Sequence, residues 1–296
     1  MCGLPELSVV DGQAAYHTVE YGVFAMTLPP QGSIQGKSVS FDRAAEFYDQ
    51  TRGFAPGHDL PAVSLFTRDG QLQPDQRALE IGAGTGRILA PLMHHFQGQM
   101  HGIDISSGML GRVSQKVNNP RLHLVLGDAL HLPYPDDYFD AVIGVHIFHL
   151  VGDYRRALKE VARVLKPSGL LMHGWGQRMF DSRLMGVWQH AIGEENRPDN
   201  WYGHEDNVPF LLEEGWQPLP TLHTYTYHED KAPKAFLDSL IHRHWSQTWT
   251  MTDEHLQKGI DAVRAYITAN YTHPEVPQPF QQTFRVRAYH PPQGAR

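Results

Sequence analysis

The chain has 296 residues, 41% of them hydrophobic and 19% charged, which is the composition of a folded globular protein and not of a fibrous or disordered one. A formal charge of −7 argues against a nucleic-acid partner, which normally meets a basic face, and the single Cys2 excludes an intrachain disulfide. No apolar run approaches the roughly 18 residues of a membrane span, and no basic stretch leads into an apolar one at the N-terminus. Neither a span nor a secretory leader is expected, and cytoplasm is the expected compartment.

Residues 1–38 include Pro29-Pro30-Gln31-Gly32-Ser33 and show no periodicity; they read as an N-terminal extension, partly disordered or carrying a short extra β element. Residues 39–73 form a helical lead-in, interrupted at Phe54-Ala55-Pro56-Gly57. The core spans 74–231 and 274–290. It opens with a strand at Leu79-Glu80-Ile81 that runs into Gly82-Ala83-Gly84-Thr85-Gly86 and then a helix, Arg87 to Met93. Glycines at alternate positions let the backbone turn sharply and approach a ligand, and the helix start aims unpaired N–H groups at it. Gln99 to Asp104 is a second strand, with its carboxylate at the C-terminal end, 22 residues beyond Gly82. An acidic residue about 20 positions past such glycines is placed to accept hydrogen bonds from the ribose hydroxyls of a nucleoside.

Leu122 to Ala129 is a third strand ending at Asp128, and the apolar run Phe139 to Val145 a fourth, as expected where helices cover both faces. The spacing of Leu158, Val161, Ala162 and Leu165 predicts a helix over Tyr154 to Leu165. Lys166-Pro167-Ser168-Gly169 stops it, and Leu170 to His173 is the fifth strand. Trp216 to Tyr227 reads as a sixth strand, Pro233 to Trp245 and Thr252 to Tyr271 as helices, the latter with Thr252 as N-cap. Residues 232–273 form a helical lid before a last strand at Thr283 to Tyr289. Strands alternating with helices imply an α/β fold, a doubly wound, mostly parallel sheet of Rossmann-like type. Such sheets bind ligands at the carboxyl ends of their strands.

These residues carry a family resemblance. Glu80-Ile81-Gly82-Ala83-Gly84-Thr85-Gly86, Gly102 to Leu110, Gly127 to Asp140 and Leu165 to Leu171 resemble, in order, four motifs of the class I S-adenosylmethionine-dependent methyltransferases of the small-molecule type. The resemblance implies a seven-stranded sheet whose last strand is antiparallel. It implies S-adenosylmethionine as cofactor, S-adenosylhomocysteine as product and a small-molecule methyl acceptor. Gly82, Ala83, Gly84 and Gly86 then cradle the cofactor, and Asp104 takes the ribose, its plainer role being a helix cap. Asp128 takes the adenine amino group with the Ala129 N–H on a ring nitrogen; loop capping is the alternative. Ile105 and Leu130 sandwich the adenine unless they are ordinary core. Met109 is counted with the cofactor contacts, with helix packing as its plainer reading. Glu80 orients the loop or meets the cofactor's amino group through water. The lead-in Phe41 to Arg52 resembles a segment in which the counterparts of Tyr48 and Arg52 lie near the cofactor's methionine end. Arg52 suits a bidentate carboxylate pairing, against a surface ion pair with Glu46 or Asp49.

Of the 19 histidines, His146 and His149 follow the fourth strand, where cofactor and acceptor should meet, and are the candidates for a general base. Core packing for His149 and a backbone contact for His146 are the plainer readings. His242, His244, Trp245, Tyr225 and Tyr227 are candidate acceptor-pocket residues. No histidine spacing matches a metal motif, and no metal is expected. Two other readings stay open: a nicotinamide-dependent oxidoreductase, whose fingerprint prefers G-x-G-x-x-G, and a binder of the same cofactor without turnover. A nucleic-acid methyltransferase would need N-P-P-Y or a catalytic cysteine, and neither is present. The acceptor, set by residues about 178–210 and 232–273, and the oligomeric state are not encoded in any motif.

Overall fold

A computed structural model of the chain describes residues 9–10, 13–14, 41–42, 48–49, 53–177, 182–193 and 207–294. The chain divides into two compact units, Met1–Ser33 and Ile34–Arg296. In the first, Val9–Val10 pairs antiparallel with Gln13–Ala14; the rest of the expected extension lies outside the described residues. The second unit carries the sheet, the helices and the cleft.

Among the described residues the sheet has seven strands: β1 (Arg77–Ile81), β2 (Gln99–Asp104), β3 (Leu122–Leu126), β4 (Phe139–Val145), β5 (Leu165–Gln177), β6 (Gln217–Lys231) and β7 (Gln278–His290). Their order is β3-β2-β1-β4-β5-β7-β6, with β7 antiparallel to both its neighbours and the rest parallel. The expected Rossmann-like, mostly parallel seven-stranded sheet with an antiparallel last strand is borne out. The strand order reverses between β1 and β4. That reversal opens a crevice at the carboxyl ends of the strands.

Side chains alternate across the sheet because the strand period is two. Ala78, Met100, Ile143, Met172 and Val286 point to one face, against Ala62 and Val63 of α1 (Asp59–Val63), Leu89 and Leu92 of α2 (Leu89–Leu92) and Val113 of α3 (Ser107–Lys116). Leu79, Ile81, Ile103, Val142 and Leu171 point to the other, against Leu158, Val161 and Val164 of α4 (Tyr154–Val164). Burial on both faces explains the unbroken apolar run of β4.

Several elements differ in extent from expectation, β3 ending at Leu126 and α2 spanning only Leu89–Leu92 among them, and three of the differences have a local reason. In place of a turn at 166–169 there is a bulge at the start of β5, because pairing with β4 jumps from Phe139↔Leu165 to Ala141↔Leu170. The helix from Pro233 stops at Ile241 (α7), four residues early. Arg243 takes a left-handed φ of 50°, and its guanidinium donates to the carbonyls of Thr248 and Met251 while pairing with Asp253. β6 is longer than expected because Gln278–Gln282 of β7 pairs with it alone, beyond the last β5 rung at Gln177↔Thr283.

That two-stranded extension leads into α7 and α8 (Asp253–Asn270), which pack with α5 (Ser182–Ile192). Thr252 caps α8 as expected, its hydroxyl accepting from His255 N–H at 3.3 Å. Leu184, Trp188 and Ile192 join Phe236, Leu240, Leu256, Ile260, Val263 and Ile267 in a separate apolar core, so α5 belongs with the lid helices. The helices approach closely at Gly259, where a Cβ would fall 2.5 Å from Trp188 Cδ1 and 3.0 Å from Ile192 Cγ2. We expect Gly259→Val to destabilise the protein by about 1–3 kcal/mol through overpacking, exceeding any gain in helix propensity. Thermal unfolding checks this: a lower Tm is expected, and an unchanged one would mean the two helices separate at no cost.

Candidate functional site

The crevice at the strand ends is a cleft enclosing about 610 Å³ of empty space, part of it open solvent. Its wall divides chemically. Gly82, Gly84, Asp104, Gly127 and Asp128 contribute backbone and carboxylates. Phe41, Tyr48, Met109, Val145, Ile147, Leu150 and Val151 contribute apolar and aromatic surface, with His146 among them. No lysine or arginine is among the described lining residues.

The glycine turn is built for close approach. Gly82, Gly84 and Gly86 have φ of 68°, 54° and 81°, conformations that suit glycine. A Cβ on Gly82 would fall 2.4 Å from Ile147 Cδ1, so the cleft floor exists only without a side chain there. The N–H groups of Gly82 and Ala83 both donate to Ile103 O, at 2.9 and 3.0 Å, which ties the turn to β2. Gly86 lies outside the cleft wall, against Leu89 and Val113.

Asp104 closes the same corner. Its Oδ2 accepts from Gly84 N–H at 2.8 Å and its Oδ1 from Ser106 N–H at 2.9 Å. Burial pushes its carboxyl above the ordinary range, and these backbone bonds oppose the shift. A carboxylate offers about four lone-pair sites, so its backbone bonds leave it able to receive a further donor from the cleft. Asp128, at the next strand end, accepts from Leu130 N–H through Oδ1 at 3.0 Å and also faces the cleft. Adjacent carboxylates, a backbone cradle and flanking apolar and aromatic walls suit a nucleoside with a positively charged sulfonium extension. The residues present fit S-adenosylmethionine.

The expected residues distribute as follows. Tyr48, Gly82, Gly84, Asp104, Ile105, Met109, Asp128, Ala129 and His146 meet in the cleft wall. Met109 is also buried in α3 against Phe41, so it packs and lines at once. Leu130 lies outside the wall, packed beside Ala129, Val151 and Tyr154. His149 is likewise outside it, and Ala83 is buried in the core beneath the turn. Arg52 lies outside the described residues. Glu80 is buried, and its Oε2 accepts from Leu89 N–H at 3.1 Å, so it braces the start of α2 and is not part of the wall.

His146 follows β4 with a φ of 51° and lines the cleft, and its N–H donates to Gly174 O at 3.3 Å. Beneath it His173 bonds Gly144 O through Nδ1 at 3.1 Å, and burial lowers its pKa to about 4, leaving it a neutral structural ring. Sequence reasoning missed Phe41, Ile147, Leu150 and Val151. The apolar residues after β4 were the available signal, but nothing in their periodicity separates a cleft wall from a core.

Residues 79–173 match the family described as a methyltransferase domain. The uncharacterized methyltransferase YcgJ of Bacillus subtilis is 33% identical over 132 residues, 44% of this chain and 51% of that protein. Its crystal structure superposes with a TM-score of 0.51 at 20% identity, covering 79% of this chain and 99% of that one. A malonyl-[acyl-carrier protein] O-methyltransferase of Halorhodospira halophila is 31% identical over 185 residues, 60% of each chain. A ubiquinone/menaquinone biosynthesis C-methyltransferase, UbiE of Vibrio campbellii, is 37% identical over 139 residues, 45% of this chain and 54% of that protein. The chain thus spans about half to three-fifths of the length of the curated relatives it matches.

Glu80 has a measurable consequence. Burial raises its pKa from 4.5 to about 8, with Arg87 and the Leu89 N–H pulling the other way. The folded protein therefore keeps a proton that the unfolded chain releases, and this group's contribution to stability falls as pH rises from 4.5 to about 8. Glu80→Gln retains an oxygen for Leu89 and cannot ionise. Its Tm should gain on wild type between pH 5 and pH 8.5; an equal difference at both would refute the buried-acid assignment.

Proposed function

We propose that the protein transfers a methyl group from S-adenosylmethionine to a small-molecule acceptor. The observation that carries the reading is the juxtaposition of Asp104 and Asp128 around the Gly82–Gly86 turn, in a cleft with no lysine or arginine among its described lining. The bound cofactor supplies a methyl already activated by positively charged sulfur, open to in-line displacement.

The chain's own part is to hold and exclude. Asp104 receives ribose hydroxyls, Asp128 and the Ala129 N–H receive the base, and the glycine turn brings backbone against the remainder of the cofactor. Phe41, Tyr48, Leu150 and Val151 line the cleft with apolar surface that keeps water from the reacting atoms. Such positioning is worth about 7–11 kcal/mol at best. His146 stands at the wall beside these groups and takes a proton where the acceptor arrives protonated, a contribution of roughly 10²–10⁴-fold. A relative named for ubiquinone/menaquinone biosynthesis supports a small-molecule acceptor. No helix among the described residues is long and apolar enough to cross a membrane.

Calorimetry with S-adenosylmethionine, S-adenosylhomocysteine and NAD tests the assignment. Both sulfur ligands should bind, with affinity lowered by about tenfold or more in Asp104→Ala, since a hydrogen bond to a charged group contributes about 1.5–3 kcal/mol. NAD should not bind. A folded sample that takes NAD and neither sulfur ligand would replace this reading with the dehydrogenase.

A further inference from the structure

Outside the cleft wall, three polar side chains close a triangle on the back of the glycine turn. Thr85 Oγ1–H donates to Asp49 Oδ1 at 2.5 Å, and Lys116 Nζ pairs with Asp49 Oδ2 at 2.6 Å. The same Lys116 Nζ donates to the Thr85 carbonyl at 2.7 Å. The three groups come from separate parts of the chain: the lead-in, the middle of the turn and the last turn of α3. Thr85 is fully buried, so its hydroxyl has been taken out of water to make this bond.

Asp49 is the immediate neighbour of Tyr48, which lines the cleft, and Thr85 sits between Gly84 and Gly86. The triangle therefore fixes the aromatic wall and the backbone cradle together. A second carboxylate pins the lead-in at the other rim: Asp42 Oδ1 accepts from Ser106 Oγ–H at 2.5 Å and from Gly108 N–H at 3.2 Å, at the start of α3. Ser106 N–H in turn donates to Asp104, so both pins end one residue from a group that bounds the site.

We infer that Asp49, Thr85 and Lys116 are positioning residues that lock the lead-in onto the glycine turn and thereby set how long the cofactor and its product stay bound. The inference rests on the methyltransferase reading for its ligand, though not for the lock itself. Tyr48 lines the cleft, and its neighbour Asp49 is bonded to Thr85, the residue between two glycines of the turn, so the triangle couples the mobility of that wall to the turn that cradles the ligand. The exposed Lys116–Asp49 pair contributes little by itself. The buried Thr85 hydroxyl on a carboxylate is the strong member.

Thr85→Val keeps the shape and removes the hydroxyl; Thr85→Ser restores it; Lys116→Met removes the charge from the other corner without touching the turn's sequence. Two quantities are read: the release rate of S-adenosylhomocysteine by stopped flow, and amide exchange at Gly53, whose N–H donates to Asp49 O at 3.2 Å. In Thr85→Val both should rise about tenfold, in Thr85→Ser both should return to within about twofold of wild type, and Lys116→Met should show a smaller rise in both. Faster exchange with unchanged release would make the triangle merely structural and overturn the inference. Unchanged exchange in Thr85→Val would overturn it as well. Should Thr85→Val fail to fold, Lys116→Met decides by the same two readings. Should wild type bind no S-adenosylhomocysteine, the inferred role falls with the cofactor reading, and faster exchange would then identify a lock without that ligand.

Discussion

The carboxylate of Asp104 is the constraint on which the site depends. It sits at the end of β2 and receives the N–H groups of Gly84 and Ser106, joining the glycine turn to the start of α3. Burial makes its charge costly, and the two backbone donors offset part of that cost. The Gly84 N–H reaches it because the turn runs through left-handed φ at Gly82 and Gly84, which brings the backbone back over the strand end. The turn's conformation, the register of β1 on β2 and the entry of α3 are thus fixed at one atom group.

The same corner explains why the cleft has two kinds of wall. Strand ends and glycine turn are set by sheet geometry and offer backbone and carboxylates, which suit a nucleoside. The other wall is assembled from the lead-in, the α3 helix and the turn after β4, where Phe41 packs with Tyr48, Met109, Leu150 and Trp249. Trp249 reaches it from the connector between α7 and α8, which is held by Arg243, whose carbonyl accepts the Trp249 indole N–H at 2.7 Å. The lid, with its own apolar core, meets the site through this aromatic contact.

Much of this was legible in the sequence, and unevenly so. The strands, the glycine turn and Asp104 were legible because their requirements are local: a period of two, a left-handed backbone, a carboxylate at a strand end. Glu80 was legible as a loop-orienting group, but its partner, the Leu89 N–H, depends on where α2 begins. The early stop of α7 was not legible, because no glycine or proline marks it before Trp245, while Arg243 is held by bonds to residues five to ten positions later. The triangle of Asp49, Thr85 and Lys116 was equally hidden, since it joins three segments whose approach is set by tertiary packing. Ile147, Leu150 and Val151 were hidden for a different reason: apolar residues in a cleft wall and in a core have the same pattern.

The account stands most directly on Asp104 facing a ribose. Binding of S-adenosylhomocysteine should be compared with that of its 2′,3′-dideoxy analogue on the same folded protein. The analogue keeps the base, the sulfur and the amino-acid end and lacks only the two hydroxyls. If Asp104 receives them, the analogue binds at least about tenfold more weakly, the loss of a hydrogen bond to a charged group. Equal affinity would show that the carboxylate serves only the turn, and would contradict the central claim.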